Sequence, residues 1–159
     1  MTIDPRRILF SDDSLLAVNK LSGELTVAGS GESDKLALLD FLRKEYPGLK
    51  PLHRLDFETS GVVIFARTKR VADMVIQSEF LGWKKTYISL VAGRMPRQDG
   101  AIRSPLPSRA RPNVPFGNGR GEGMVPALTT YRVLEVFANS CLVEADITTG
   151  RHHQIRRHF

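Results

Sequence analysis

The strongest constraint on the fold is the way strand-like runs come in neighbouring pairs. Arg7 to Phe10 and Leu15 to Lys20 are short strand-forming runs, separated only by the turn-forming Ser11-Asp12-Asp13-Ser14. Near the other end, Ala127 to Phe137 and Cys141 to Ile147 are joined by Ala138-Asn139-Ser140. Connections this short build antiparallel hairpins, because a parallel pair needs a crossover of a dozen or more residues. Two further strands are expected, Val62 to Ala66 and Lys85 to Ala92. The first is apolar throughout and is expected to be buried on both faces. In the second, Thr86, Ile88 and Leu90 alternate with Tyr87, Ser89 and Val91.

Helices fill the intervals. Ser33 is a plausible N-cap for a helix to about Tyr46, with Leu36, Leu38, Leu39 and Leu42 near the helical period and Pro47-Gly48 as its stop. Thr68 is a second N-cap, for a helix to about Phe80 with Val71, Met74, Val75 and Phe80 on one side. Arg151 to Phe159 reads as a third helix start. Hairpin pairs outnumber strand-helix-strand alternations. The expected class is therefore α+β, with a mixed, mainly antiparallel sheet and flanking helices.

The length of 159 residues fits one domain, 1–159. No Walker or dinucleotide glycine loop is present, and no apolar run approaches the ~20 residues of a membrane helix. The single cysteine, Cys141, excludes an intrachain disulfide and suits a reducing, cytoplasmic setting. The chain is expected to act as a monomer, without a membrane and without a cofactor.

The net charge of +6 is concentrated. Residues 94–120 hold six arginines and one acid, Asp99, and residues 151–159 hold three arginines and no acid, leaving the rest at −2. Residues 94–123 form a basic, Pro- and Gly-rich insertion with no clear internal structure. Such a distribution suits phosphate-backbone binding, although arginines in loops are equally compatible with plain solvation.

Three places can carry chemistry. Pro51 to Gly61, PLHRLDFETSG, is a turn-like stretch with His, Arg, Asp, Thr and Ser directly before a strand. Its bland reading is a turn in which Asp56 and Thr59 bond their own backbone. Tyr87 opens an alternating strand in KKTYISLVAG, a position equally typical of a core aromatic. TGRHHQIRRH, Thr149 to His158, sets His152, His153 and His158 among arginines. Three histidines suggest a metal hydrolase, but flanking guanidiniums repel a cation, and a donor-rich helix start is better suited to phosphate.

Taken jointly, HRLDFETSG, KKTYISLVAG and TGRHHQIRRH resemble the RluA-like family of RNA pseudouridine synthases. ILFSDDSLLAVNKLSG (Ile8 to Gly23) and ALTTYRVLE (Ala127 to Glu135) extend the likeness over nearly the whole chain in the right order. Leu21 stands where that family usually has proline. The resemblance implies a cofactor-free isomerase that converts uridine in rRNA or tRNA to pseudouridine. It makes Asp56 the catalytic carboxylate, acting on ribose C1′ as nucleophile or on the 2′ proton. Arg156 is implied as its buried partner and Tyr87 as the active-site tyrosine. A buried carboxylate left without its arginine loses roughly 3–5 kcal/mol, so Arg156→Ala is expected to harm folding as well as rate. His53 is expected to brace the turn. Arg54, Arg103, Arg109, Arg111 and Arg151 are implied to grip the RNA. Family members continue past the QIR helix with further strands, so the chain is expected to be incomplete at its C-terminus, with Phe159 short of a packing partner. The competing reading is a non-catalytic RNA-binding module, or an inactive fragment, that keeps the scaffold. Asp56→Ala separates the two: a binding module keeps its effect without the carboxylate.

Overall fold

The structure is a computed structural model. It describes residues 3–28, 37–78, 80, 82–107 and 123–159. The chain divides into two compact units, Met1–Leu81 and Gly82–Phe159.

In the first unit a 3-10 turn, Pro5–Arg7, leads into β1 (Ile8–Ser11) and β2 (Leu15–Lys20). Their turn forms because Asp12 Oδ1 accepts the N–H groups of Ser14 and Leu15, both at 2.7 Å. These bonds stabilise the ionised carboxylate and hold the Asp12 pKa below its ordinary value. The helix α1 (Leu38–Leu42), the two-residue β3 (Lys50–Pro51), β4 (Gly61–Ala66) and α2 (Lys69–Gln77) follow. The sheet order is β1-β2-β4-β3, antiparallel throughout. Pairing Leu16 with Phe65 and Val18 with Val63 sets four fully buried side chains on one face.

Two expectations need correction here. β4 is not buried on both faces: Val62 is half exposed, because only the face shared with Leu16 and Val18 is covered. On α2, capped by the Thr68 side chain accepting from Val71 N–H, the buried residues are Val71 and Ala72, while Met74 is exposed. The first helix is also short in its described part. It ends in turns before Gly48, whose φ of +86° suits a residue without Cβ. Ser33, its expected cap, lies outside the described residues.

The second unit contains β5 (Lys85–Ala92), β6 (Asp99–Ile102), β7 (Leu106–Pro107), β8 (Met124–Val125), β9 (Thr129–Val136), β10 (Ser140–Ile147) and α3 (Gln154–His158). One antiparallel sheet has the order β5-β10-β9-β6, and β7 pairs with β8. The expected insertion thus contains regular structure. β6 pairs with β9 despite its glycine, because Gly100 lies under the Tyr131 ring, where a Cβ would meet the hydroxyl at 2.9 Å. Tyr131, Val133, Cys141 and Val143 form the core, with Val91, Met95, Ile102 and Phe159 packed against it. Phe159 does have a partner: its ring meets Tyr131 edge-on at 5.7 Å. Every described strand pairing is antiparallel, so the sheets are less mixed than expected. No described helix is long and apolar enough to cross a membrane.

Candidate functional site

The loop from Leu52 to Gly61 is built by the segment that follows β2. Lys20 continues the inward parity of Leu16 and Val18 and is fully buried. Its ammonium donates to the carbonyls of Leu21 (3.0 Å), Phe57 (3.2 Å) and Thr59 (2.6 Å). Thr26, also buried, accepts Leu55 N–H (3.2 Å) and donates its hydroxyl to Leu55 O (3.3 Å). Gly23 N–H donates to Phe57 O (2.9 Å) and Ser22 Oγ to Glu58 O (2.8 Å). The loop closes on itself through Thr59 N–H to Asp56 O at 3.1 Å. His53 braces the far side: its Nε2 accepts Ile64 N–H at 3.1 Å, so that nitrogen carries no proton, and the expected bracing role is borne out. Gly61, at φ +127°, makes the exit into β4 in a conformation that other residues rarely adopt.

Asp56 is therefore half-buried on a main-chain loop tied down from several directions, and Arg54 is exposed beside it. Burial pushes the Lys20 pKa down, while the Glu24, Asp56 and Glu58 carboxylates pull it back up. A buried positive charge thus sits within electrostatic reach of the Asp56 carboxylate. The turn carrying Lys20 is itself fixed by Glu24. That carboxylate receives both terminal nitrogens of Arg7 (2.9 and 2.5 Å) and Leu21 N–H (2.9 Å). A proline at position 21 has no N–H to offer, so the departure from the family pattern adds a bond.

In the second unit Tyr87 is half-buried on β5 opposite Ala145. Next to it, on the other face, Thr86 donates to Asp146 at 2.5 Å and Lys84 pairs with the same carboxylate at 3.2 Å. The Thr86 bond, then Lys84, hold the Asp146 pKa below its ordinary value.

Arg156 belongs to α3, and Gln154 positions that helix. The buried amide oxygen of Gln154 accepts from Thr149 Oγ1 (2.7 Å) and Arg151 N–H (3.1 Å). Its nitrogen donates to Leu128 O (2.9 Å) and Thr129 Oγ1 (3.1 Å). The oxygen thus closes the turn on itself, and the nitrogen ties it to the start of β9. The helix begins at His153, held in the left-handed region at φ 52°. Arg156 is exposed, which corrects the expectation of a buried guanidinium. With Gln154 facing inward, a residue two positions on lies about 200° round the helix and faces away.

The other basic residues separate. Arg103 is exposed after β6. Arg151, also exposed, donates Nε to Pro126 O at 3.1 Å, so part of its guanidinium braces the chain. Arg109 and Arg111 lie outside the described residues. Asp56 and Arg54 belong to the first unit, and Tyr87, Arg103, Arg151 and Arg156 to the second.

The histidines do not make a metal centre. Among the described residues no group of three His, Cys, Asp or Glu side chains is arranged to hold an ion. His158 has both ring nitrogens engaged, with Thr129 Oγ1 at 2.8 Å and Ser104 O at 3.0 Å. His152 and His153 stack on each other at 3.7 Å.

Residues 14–159 match the profile of the RNA pseudouridylate synthase family. The dual-specificity RNA pseudouridine synthase RluA of Escherichia coli (strain K12) is 36% identical over 159 residues, covering 96% of this chain and 70% of the relative. Its Yersinia pestis counterpart is 34% identical, and 74% of it is covered. Among solved structures, human RNA pseudouridylate synthase domain containing 4 superimposes with a TM-score of 0.75 at 27% identity, over 95% of this chain and 62% of that one. Human RNA pseudouridylate synthase domain containing 1 gives 0.72 at 26% identity, over 99% and 66%. The chain thus spans somewhat less than two thirds of the human chains and about 70% of the first bacterial relative. The match over residues 14–159 and the 36% identity to a bacterial relative covered to 70% show that the chain belongs to the RNA pseudouridine synthase family.

Proposed function

We propose that this chain isomerises uridine in stem-loop regions of rRNA or tRNA to pseudouridine, with Asp56 as the catalytic carboxylate. The observation that supports it most is the bracing of the Asp56 loop by Lys20, Thr26 and His53. A main chain held at this many points presents one carboxylate in one place, as catalysis by position requires. In the reaction the N1–C1′ bond breaks, C5 bonds to C1′, and the C5 proton leaves as N1 gains one. Nothing is oxidised or transferred to a second molecule. Asp56 acts on the ribose, attacking C1′ or accepting the 2′ proton. Tyr87 stacks on the released base and assists removal of the C5 proton. Arg156 serves as the cationic partner, and Arg54, Arg103, Arg109, Arg111 and Arg151 hold the RNA. The target base leaves its stack first, which costs a few kcal/mol and least in loops. We read the enzyme as a cytoplasmic monomer.

Tritium release from RNA labelled at uridine C5 tests the reading. The wild-type protein is expected to release tritium from a stem-loop RNA. Asp56→Asn is expected to bind the same RNA and release none. An Asp56→Asn protein that still turns over removes the carboxylate from the mechanism.

A further inference from the structure

Beyond β5 the chain turns at Gly93, whose N–H donates to Asn139 O at 2.8 Å. It then runs alongside β9, where Val133 N–H donates to Gln98 O at 2.7 Å and Gln98 Nε2 donates to Val133 O at 2.7 Å. The four residues between these anchors, with Gln98, form one wall of a cleft of about 250 Å³, lined by Arg94, Met95, Pro96, Arg97, Gln98, Val133 and Val136. Its composition is unusual. Two guanidiniums stand beside an apolar surface, and Met95 is packed on the core. Both arginines are exposed, and among the described residues neither is in an ion pair.

We infer that this cleft is a second RNA subsite, in which Arg94 and Arg97 take phosphates and the Met95, Pro96 and Val136 wall receives one base or ribose. The inference rests on the proposed RNA substrate. A volume of about 250 Å³ suits a single base or ribose. An unstacked base has an apolar face and a phosphate beside it, and an arginine plane serves either. An inorganic anion would leave the apolar wall unused. Position adds to the argument. Tyr87 lies near the start of β5 and Arg94 just past its end, seven residues on. From Tyr87 to the last strand residue, Ala92, is about 17 Å at about 3.3 Å per residue. The subsite therefore holds a nucleotide well away from the tyrosine and reads the single-stranded flank of the target.

The test uses the full chain and a fluorescein-labelled single-stranded RNA. Arg94→Gln with Arg97→Gln is expected to weaken binding about tenfold, and to lower the slope of log affinity against log salt by about 0.7 for each phosphate lost. Val136→Glu, which sets a carboxylate on the exposed wall, is expected to weaken binding by pairing with the arginines and repelling phosphate. Arg70→Gln, on α2, serves as the control and leaves affinity within about twofold. In tritium release from the stem-loop substrate, KM rises and kcat stays. Wild-type affinity and slope in both cleft variants overturn the subsite even if tritium release is normal. Loss of binding in the cleft variants, with no tritium release from the wild type, upholds the subsite and overturns the isomerase reading instead.

Discussion

The loop that carries Asp56 and the turn that carries Arg156 are each organised around one buried polar side chain, but of opposite kinds. Lys20 is a cation gathering three carbonyls from the loop and its own turn. Gln154 is a neutral amide that both donates and accepts. A buried ammonium is costly to desolvate, and it attracts carboxylates as well as carbonyls. A buried amide is cheaper and fixes geometry without creating a field. The difference suits what each supports: a half-buried acid in the first case, an exposed guanidinium in the second.

The contrast breaks first at Lys20. Lys20→Ala removes a fully buried side chain and leaves three carbonyls without their donor, an expected loss of about 4 kcal/mol by denaturant unfolding. Lys20→Met fills the space, so its remaining deficit measures the hydrogen bonds. The sign of the pH dependence is a separate check. The folded-state pKa of Lys20 lies below the ordinary lysine value of 10.5, so the folded chain binds fewer protons than the unfolded one between those two values. Stability of the wild type relative to Lys20→Met should therefore rise as pH climbs through that window and level off above 10.5. A falling difference would mean that the ammonium gains more from its partners than burial costs it. Gln154→Leu, nearly isosteric, leaves the Leu128 carbonyl and the Thr149 hydroxyl without their bonds. It is expected to cost about 3 kcal/mol with no such pH dependence.

How legible these anchors were in the sequence follows from the same physics. The strands were legible because alternation has a period: Leu15–Lys20 and Lys85–Ala92 have the expected bounds. The resemblance named Asp56, Tyr87 and Arg156, and only His53 among the supporting residues was anticipated. A lysine at a strand end usually means solvent, so residue type alone does not mark Lys20. Yet it shares the parity of Leu16 and Val18, and that was the available signal. β6 was hidden because its glycine reads as a breaker, when it makes room for the Tyr131 ring. The buried Arg156 was implied by the resemblance alone. The helical angle from Gln154 would have argued against it.

Two smaller effects sharpen the comparison. Leu21→Pro restores the usual family residue but removes the N–H that donates to Glu24, while stiffening the unfolded chain. The net expectation is a loss of about 1 kcal/mol, and a gain would show that the Leu21 bond contributes nothing. The smallest change in stability is expected for Arg156→Ala. Its side chain is exposed, so truncation leaves no cavity. The unfolding free energy should stay within about 0.5 kcal/mol of wild type. Tritium release should nevertheless fall, because the proposed role of Arg156 is electrostatic support of the reacting carboxylate. A variant that melts normally and turns over poorly places this arginine in the chemistry alone. A large loss of stability would mean that its guanidinium is a structural anchor after all, and that α3 depends on two polar side chains where Gln154 was taken to suffice.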